Sequence, residues 1–63
     1  MNSKKQLKEN INELKEISTN SSNGQFARNY AESAIEEAET LASIGRVTCG
    51  SNTSSRALNF LNK

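Results

Sequence analysis

Between Gln25 and Ile44 the chain sets Ala27, Tyr30, Ala34, Ala38 and Leu41 on one face at helical spacing, flanked by Phe26, Ala31, Ile35, Ala42 and Ile44. Apolar residues at this period predict an amphipathic helix. Half of these side chains are alanine, so a partner helix can approach closely, with Phe26, Tyr30, Leu41 and Ile44 filling the two ends. Gly45 follows, the residue that most readily takes the left-handed conformation ending a helix, and Arg46 stands beside the negative end of the dipole. The opposite face carries Glu32, Glu36 and Glu39 with Asn29, Thr40 and Ser43 and is expected to meet solvent.

A second periodic stretch precedes it. Leu7, Ile11, Leu14 and Ile17 fall within one arc of a helix running from about 3 to 18, with Ser3 as the expected N-cap. Lys4, Lys5, Lys8 and Lys15 interleave with Glu9, Glu13 and Glu16, the mixture of a solvated face. Residues 19–24, Thr-Asn-Ser-Ser-Asn-Gly, are six consecutive turn formers and read as a loop. Two helices joined by so short a loop are expected to pack antiparallel.

The C-terminal third is less periodic. Residues 45–54 mix Val47, Thr48 and Cys49 with a run of Gly, Ser, Asn and Thr, and are read as an ordered loop. A short helix over about 55–62 follows, capped by Thr53, Ser54 or Ser55. The expectation is one all-α helical domain over 1–63, an antiparallel hairpin plus a short C-terminal helix.

Composition narrows the ways such a chain can be held together. Only 13 large apolar side chains occur in 63 residues. A domain of this size buries only about 60% of the surface its unfolded chain exposes. One Cys and no His leave no internal disulfide and no zinc site of the Cys/His kind. Self-association is the remaining ordinary support, and Ile35 and Ile44 lie on opposite flanks of the second helix. Either a second chain or the C-terminal segment must cover one of them, and a homo-oligomer is expected.

The same composition excludes several functions. Without His or Asp, the chain offers neither a catalytic triad nor a Cys-His nucleophile, and no catalytic residue, metal site or cofactor is expected. Glu32, Glu36 and Glu39 share a face, but nothing in the pattern buries them as general acid/base work requires. Cys49 has no neighbouring base and is expected to be a small, partly buried residue. A net charge of +1 gives no basic field for nucleic acid. No window is apolar enough to span a membrane, and the N-terminal stretch lacks the apolar run of a signal peptide, so a cytoplasmic protein is expected.

What remains is a concentration of anion-binding chemistry. The polar runs at 20–24 and 50–56 each lead into an expected helix N-terminus, where free N–H groups, hydroxyls and the Arg56 guanidinium suit a phosphate. The same residues are also ordinary caps and turn formers. Placing Arg56 at a positive helix end is a local conflict that a bound anion would relieve.

Asn23-Gly24, then Ala31, Ser33 and Ile35-Glu36-Glu37-Ala38, resembles the helical hairpin of small phage proteins that sequester cyclic nucleotide or cyclic ADP-ribose signals of bacterial immunity. There a Gly-containing turn precedes a helix of the form Ala-x-Thr-x-Leu-Glu-x-Ala. The likeness spans residues 23–38 and departs from the pattern at Gln25-Phe26, where Arg-Glu is usual, in the late Arg28, and in lacking an aromatic residue after the Ala. Gly24, Ser33 and Glu36 occupy matching positions. The resemblance implies all-α oligomers with ligand between subunits, no catalysis, and the host cytosol as location if the chain is phage-encoded. Together these readings select Gly24, Phe26, Arg28, Tyr30, Ser33, Thr53, Ser54 and Arg56 as candidate ligand-binding residues, with Tyr30 or Phe26 stacking on a base. The alternative is a helical interaction protein that inhibits or regulates a larger, host protein through its acidic face.

Overall fold

The computed structural model describes residues 2–63, which form three α-helices and no strand: α1 (Ser3–Thr19), α2 (Gln25–Ser43) and α3 (Val47–Leu61). The cap of the first helix lies one residue earlier than expected. Asn2 is the N-cap, its Oδ1 accepting from the Lys5 amide at 3.1 Å. Ser3 lies inside the helix and accepts a long 3.4 Å bond from the Thr48 hydroxyl on α3.

Residues 20–24 form the expected connection. The Asn20 side chain accepts from the Ser22 amide and hydroxyl, and Asn23 Nδ2 donates back to the Ile17 carbonyl at 3.1 Å. The end of α2 is set by Gly45, whose φ is +84°. Arg46 N–H donates to Leu41 O at 2.8 Å and Gly45 N–H to Ala42 O at 3.1 Å, the paired bonds of a Schellman motif.

The main departure from the sequence reading is α3. The loop expected over 45–54 and the two-turn helix expected over 55–62 are one helix of 15 residues, so Thr53, Ser54 and Ser55 sit mid-helix and cap nothing. Thr48, Gly50, Ser51, Asn52 and Thr53 are weak helix formers, each costing up to about 1 kcal/mol relative to alanine. Packing overrides that cost. An added Cβ at Gly50 would lie 3.0 Å from the Ala38 carbonyl oxygen and 3.3 Å from Leu7 Cδ1, so the missing side chain is what lets α3 lie against α2 and α1.

The core is correspondingly small in its parts. Leu14, Ala31, Ala34, Ala57 and Leu58 form one buried cluster, bordered by Ile17, Tyr30, Ile35 and Leu61. Alanines supply the α2 side, as the stripe requires, with Ala31 and Ala38 fully buried. Phe26 and Ile44 do not fill the ends of the interface as expected: they are 69% and 64% exposed. Cys49, expected to be partly buried, is exposed. α3 packs along α2, Ile35 on one flank is partly buried against the core, and Ile44 on the other stays exposed.

Between α1 and α3 the contact is polar. Asn10 is buried, and its Nδ2 lies 3.2 Å from Ser51 O, 3.0 Å from Ser54 Oγ and 2.9 Å from Ser55 Oγ, while Gln6 Nε2 donates to its Oδ1 at 3.0 Å. A carbonyl such as Ser51 O only accepts, which fixes the amide nitrogen on the α3 side. Two N–H bonds serve three acceptors, so the network is crowded and satisfied. Ser54, with no exposed surface, turns its own proton to the Gly50 and Ser51 carbonyls of the preceding turn at 2.9 Å each.

Candidate site in the cleft between the second and third helices

α2 and α3 pass each other in opposite order, Tyr30 meeting Phe60 at one end and Ala38 and Leu41 meeting Gly50 at the other. Near Gly50 the backbones are close. Between that end and Phe60 a cleft of about 290 Å³ opens. Its α2 wall is Tyr30, Ser33, Ala34 and Glu37, one strip of the helix at i, i+3, i+4 and i+7. Thr53, Arg56 and Ala57 form the α3 wall. Ala34 and Ala57 are buried and give the floor, while Ser33, Glu37 and Arg56 are exposed and Tyr30 and Thr53 half-buried.

Tyr30 is held in place by stacking. Its ring centroid lies 4.8 Å from that of Phe60 at an interplanar angle of 31°, and Phe26 closes the group at 6.1 Å from Tyr30 and 6.5 Å from Phe60. Such offset pairs contribute roughly 0.5–1.5 kcal/mol beyond area burial.

Four of the eight residues selected from sequence, Tyr30, Ser33, Thr53 and Arg56, therefore line one cleft, although the helix-N-terminus argument that singled out Thr53 and Arg56 does not apply to them. Arg56 stands well inside α3, where the dipole neither favours nor opposes it. The other four lie elsewhere. Ser54 is sealed in the contact with Asn10. Gly24 is the N-cap of α2, with no side-chain cap bond. Phe26 is exposed beside the cleft, in the aromatic group but not in the wall. Arg28 donates from Nη2 to Gln25 Oε1 at 3.0 Å, away from the cleft, and its buried Nε has no partner among the described residues.

No family model, curated protein or solved structure matches the chain. The cleft's own chemistry remains: an aromatic ring, two hydroxyls, a guanidinium and a carboxylate over an alanine floor.

The member that sequence reasoning passed over is Glu37, which stands next to the acidic face of Glu32, Glu36 and Glu39 in the sequence. Its signal was present, because position 37 completes the Tyr30, Ser33, Ala34 strip. It could be read only once α3, rather than solvent, was known to lie opposite. A second groove of about 350 Å³, between α1 and α2, is lined by Leu7, Ile11 and Asn12 with Lys4, Lys8, Lys15 and Glu39. It carries no aromatic ring and no hydroxyl. Among the described residues no group of three His, Cys, Asp or Glu could hold a metal ion, and no helix is long and apolar enough to cross a membrane.

Proposed function

We propose that this chain is a small non-enzymatic binding protein of the phage anti-defence kind, which takes up a phosphate-bearing cyclic nucleotide messenger in the α2/α3 cleft and sequesters it without turnover. One observation carries the reading: Tyr30, Ser33, Thr53 and Arg56, chosen as nucleotide-binding residues from sequence, converge on a single cleft. Its volume is near the lower end of small-molecule sites, roughly 300–1,000 Å³. A planar ring for a base, a guanidinium for a phosphate and hydroxyls for the remaining oxygens are what such a ligand requires. In this reading α1 and α2 form an antiparallel hairpin closed by α3. Copies associate in the host cytosol through Phe26, Ile44 and Phe60, the large apolar side chains left at least half exposed.

Native mass spectrometry of the purified chain, with and without a panel of cyclic nucleotides, tests oligomer and ligand together. Retained nucleotide and a melting temperature that rises with ligand concentration are the expected results, because a ligand bound only to the folded state stabilises it. A panel that neither binds nor shifts the melt removes the reading.

The same exposed Phe26, Ile44 and Phe60 favour a second one, a helical protein that docks on a larger target and inhibits or regulates it. Apolar side chains this exposed suit a protein interface as well as a homo-oligomer. A monomer in the mass spectrum that retains no nucleotide is its signature.

A further inference from the structure

Of the nine asparagines in the chain, Asn23 is the one followed by glycine. An asparagine side chain can react with the amide of the next residue where that nitrogen reaches Cγ. A following side chain hinders the approach, and a helical backbone commits the nitrogen to its i→i−4 bond. Asn10, Asn12, Asn29, Asn52 and Asn59 lie inside helices. Asn2, Asn20 and Asn62 are caps, followed by Ser3, Ser21 and Lys63. Asn23 alone joins a non-helical backbone to an unhindered neighbour. Gly24 is extended at φ −67° and ψ 161°. Beyond its chain neighbours no heavy atom lies within 4 Å of where its Cβ would stand, and among the described residues its N–H donates to no backbone carbonyl.

We propose that Asn23-Gly24 is a site of spontaneous covalent modification, whose product loosens the turn between α1 and α2. The Gly24 nitrogen attacks Asn23 Cγ, ammonia leaves with Nδ2 and the amide proton, and the cyclic imide then takes up water. Opening at the side-chain carbonyl gives aspartate. Opening at the main-chain carbonyl gives isoaspartate, with one more methylene in the backbone. Water is the only co-reactant, and the step is independent of what the cleft binds.

The amide that is consumed has a partner in the fold. Its Nδ2 donates at 3.1 Å to Ile17 O, a carbonyl in the last turn of α1 that the helix itself leaves unpaired. A carboxylate there only accepts, and it would stand against a carbonyl and the negative end of the α1 dipole. The positive end of α2 offsets part of that repulsion, but the isoaspartate product also lengthens the main chain across residues 20–24. The bond to Ile17 slows the reaction by holding the amide in place. One such bond shifts an equilibrium by about tenfold at most, and Asn23 is only part-buried, so the route stays open.

Peptide mapping by mass spectrometry of the purified chain, aged at mildly alkaline pH, tests this. Asn23 is expected to convert severalfold faster than Asn20 in the same turn, to a mixture of aspartate and isoaspartate, and faster as the pH rises, because the nucleophile is the amide nitrogen without its proton. Gly24→Ala has room for its methyl group and an ordinary φ, so it should fold like the parent and convert severalfold more slowly. Aged chain and Asn23→Asp should both melt below the fresh parent. Conversion at Asn23 no faster than at Asn20, or undiminished in Gly24→Ala, would overturn the site. Aged chain that is converted yet melts like the parent would overturn its effect on the turn.

Discussion

The amide nitrogen of Asn10 lies 3.0 Å from the hydroxyl of Ser54, a residue 44 positions further along the chain, and both side chains are buried. This bond and its neighbours at Ser51 and Ser55 tie α1 to α3 at one register. Asn10→Ala should cost about 1–3 kcal/mol, the usual penalty for stranding buried partners. Asn10→Asp, although nearly the same shape, should cost more, since a carboxylate only accepts and would face the Ser51 carbonyl. Urea unfolding of the two variants checks the order, and an Asp variant as stable as the parent would sink this account of the contact.

Gly50 gives a prediction whose sign opposes helix propensity. In an open helix Gly→Ala stabilises by about 1 kcal/mol. Here the new Cβ meets the Ala38 carbonyl oxygen at 3.0 Å, a backbone atom that moves only if α2 moves. Overpacking of this kind typically costs about 1–3 kcal/mol. Gly50→Ala is therefore expected to lower the melting temperature by several degrees, at about 4–8 °C per kcal/mol for a domain of this size. A rise would mean that α3 can stand further off without loss.

At Gly45 the cost is purely one of backbone. No heavy atom lies within 4 Å of a Cβ built there, yet φ is +84°. Gly45→Ala should destabilise by about 1–2 kcal/mol, and Gly45→Asn by less, because Asn tolerates the left-handed region. Circular-dichroism melts of both variants should rank them in that order.

Arg56 is exposed and within the body of α3, so Arg56→Ala should change stability by no more than about 0.5 kcal/mol. Its effect should fall on ligand affinity, about 10- to 100-fold weaker for a cyclic nucleotide, as expected for a charge-assisted bond to phosphate. Titration of parent and variant with the same nucleotide decides this, and equal affinities would take Arg56 out of the site.

How far the fold can be read from residues alone differs between the helices. α1 and α2 carry large apolar side chains or alanines at helical period, with turn formers at 20–24 and Gly45 after the second, and both were legible to within a residue or two. The N-terminal half of α3 was hidden because its buried residues, Gly50, Ser51 and Ser54, are small or polar. Val47, Gly50, Ser54, Ala57 and Leu61 recur at intervals of three and four, a helical stripe as regular as that of α1, but interrupted at its centre by Gly50 and Ser54, types that ordinarily mark loops. What made them helical, the Asn10 amide and the close approach of Ala38, lies on other parts of the chain. The site followed the same division. The choice of Tyr30 and Ser33 needed only α2, and Thr53 and Arg56 were chosen for a helix start that does not exist there. Glu37 required knowing what faces it.

The separation between Asn10 and its partners also bears on how the chain is made. The first of them, Ser51, comes 41 positions after Asn10, and Leu14 shares its cluster with Ala57 and Leu58. At synthesis rates of about 5–20 residues per second, α1 waits roughly two to nine seconds with the side that meets α3 uncovered. A ribosome that stalls within α3 leaves an amide and a leucine row exposed together, a state open to chaperones and proteases.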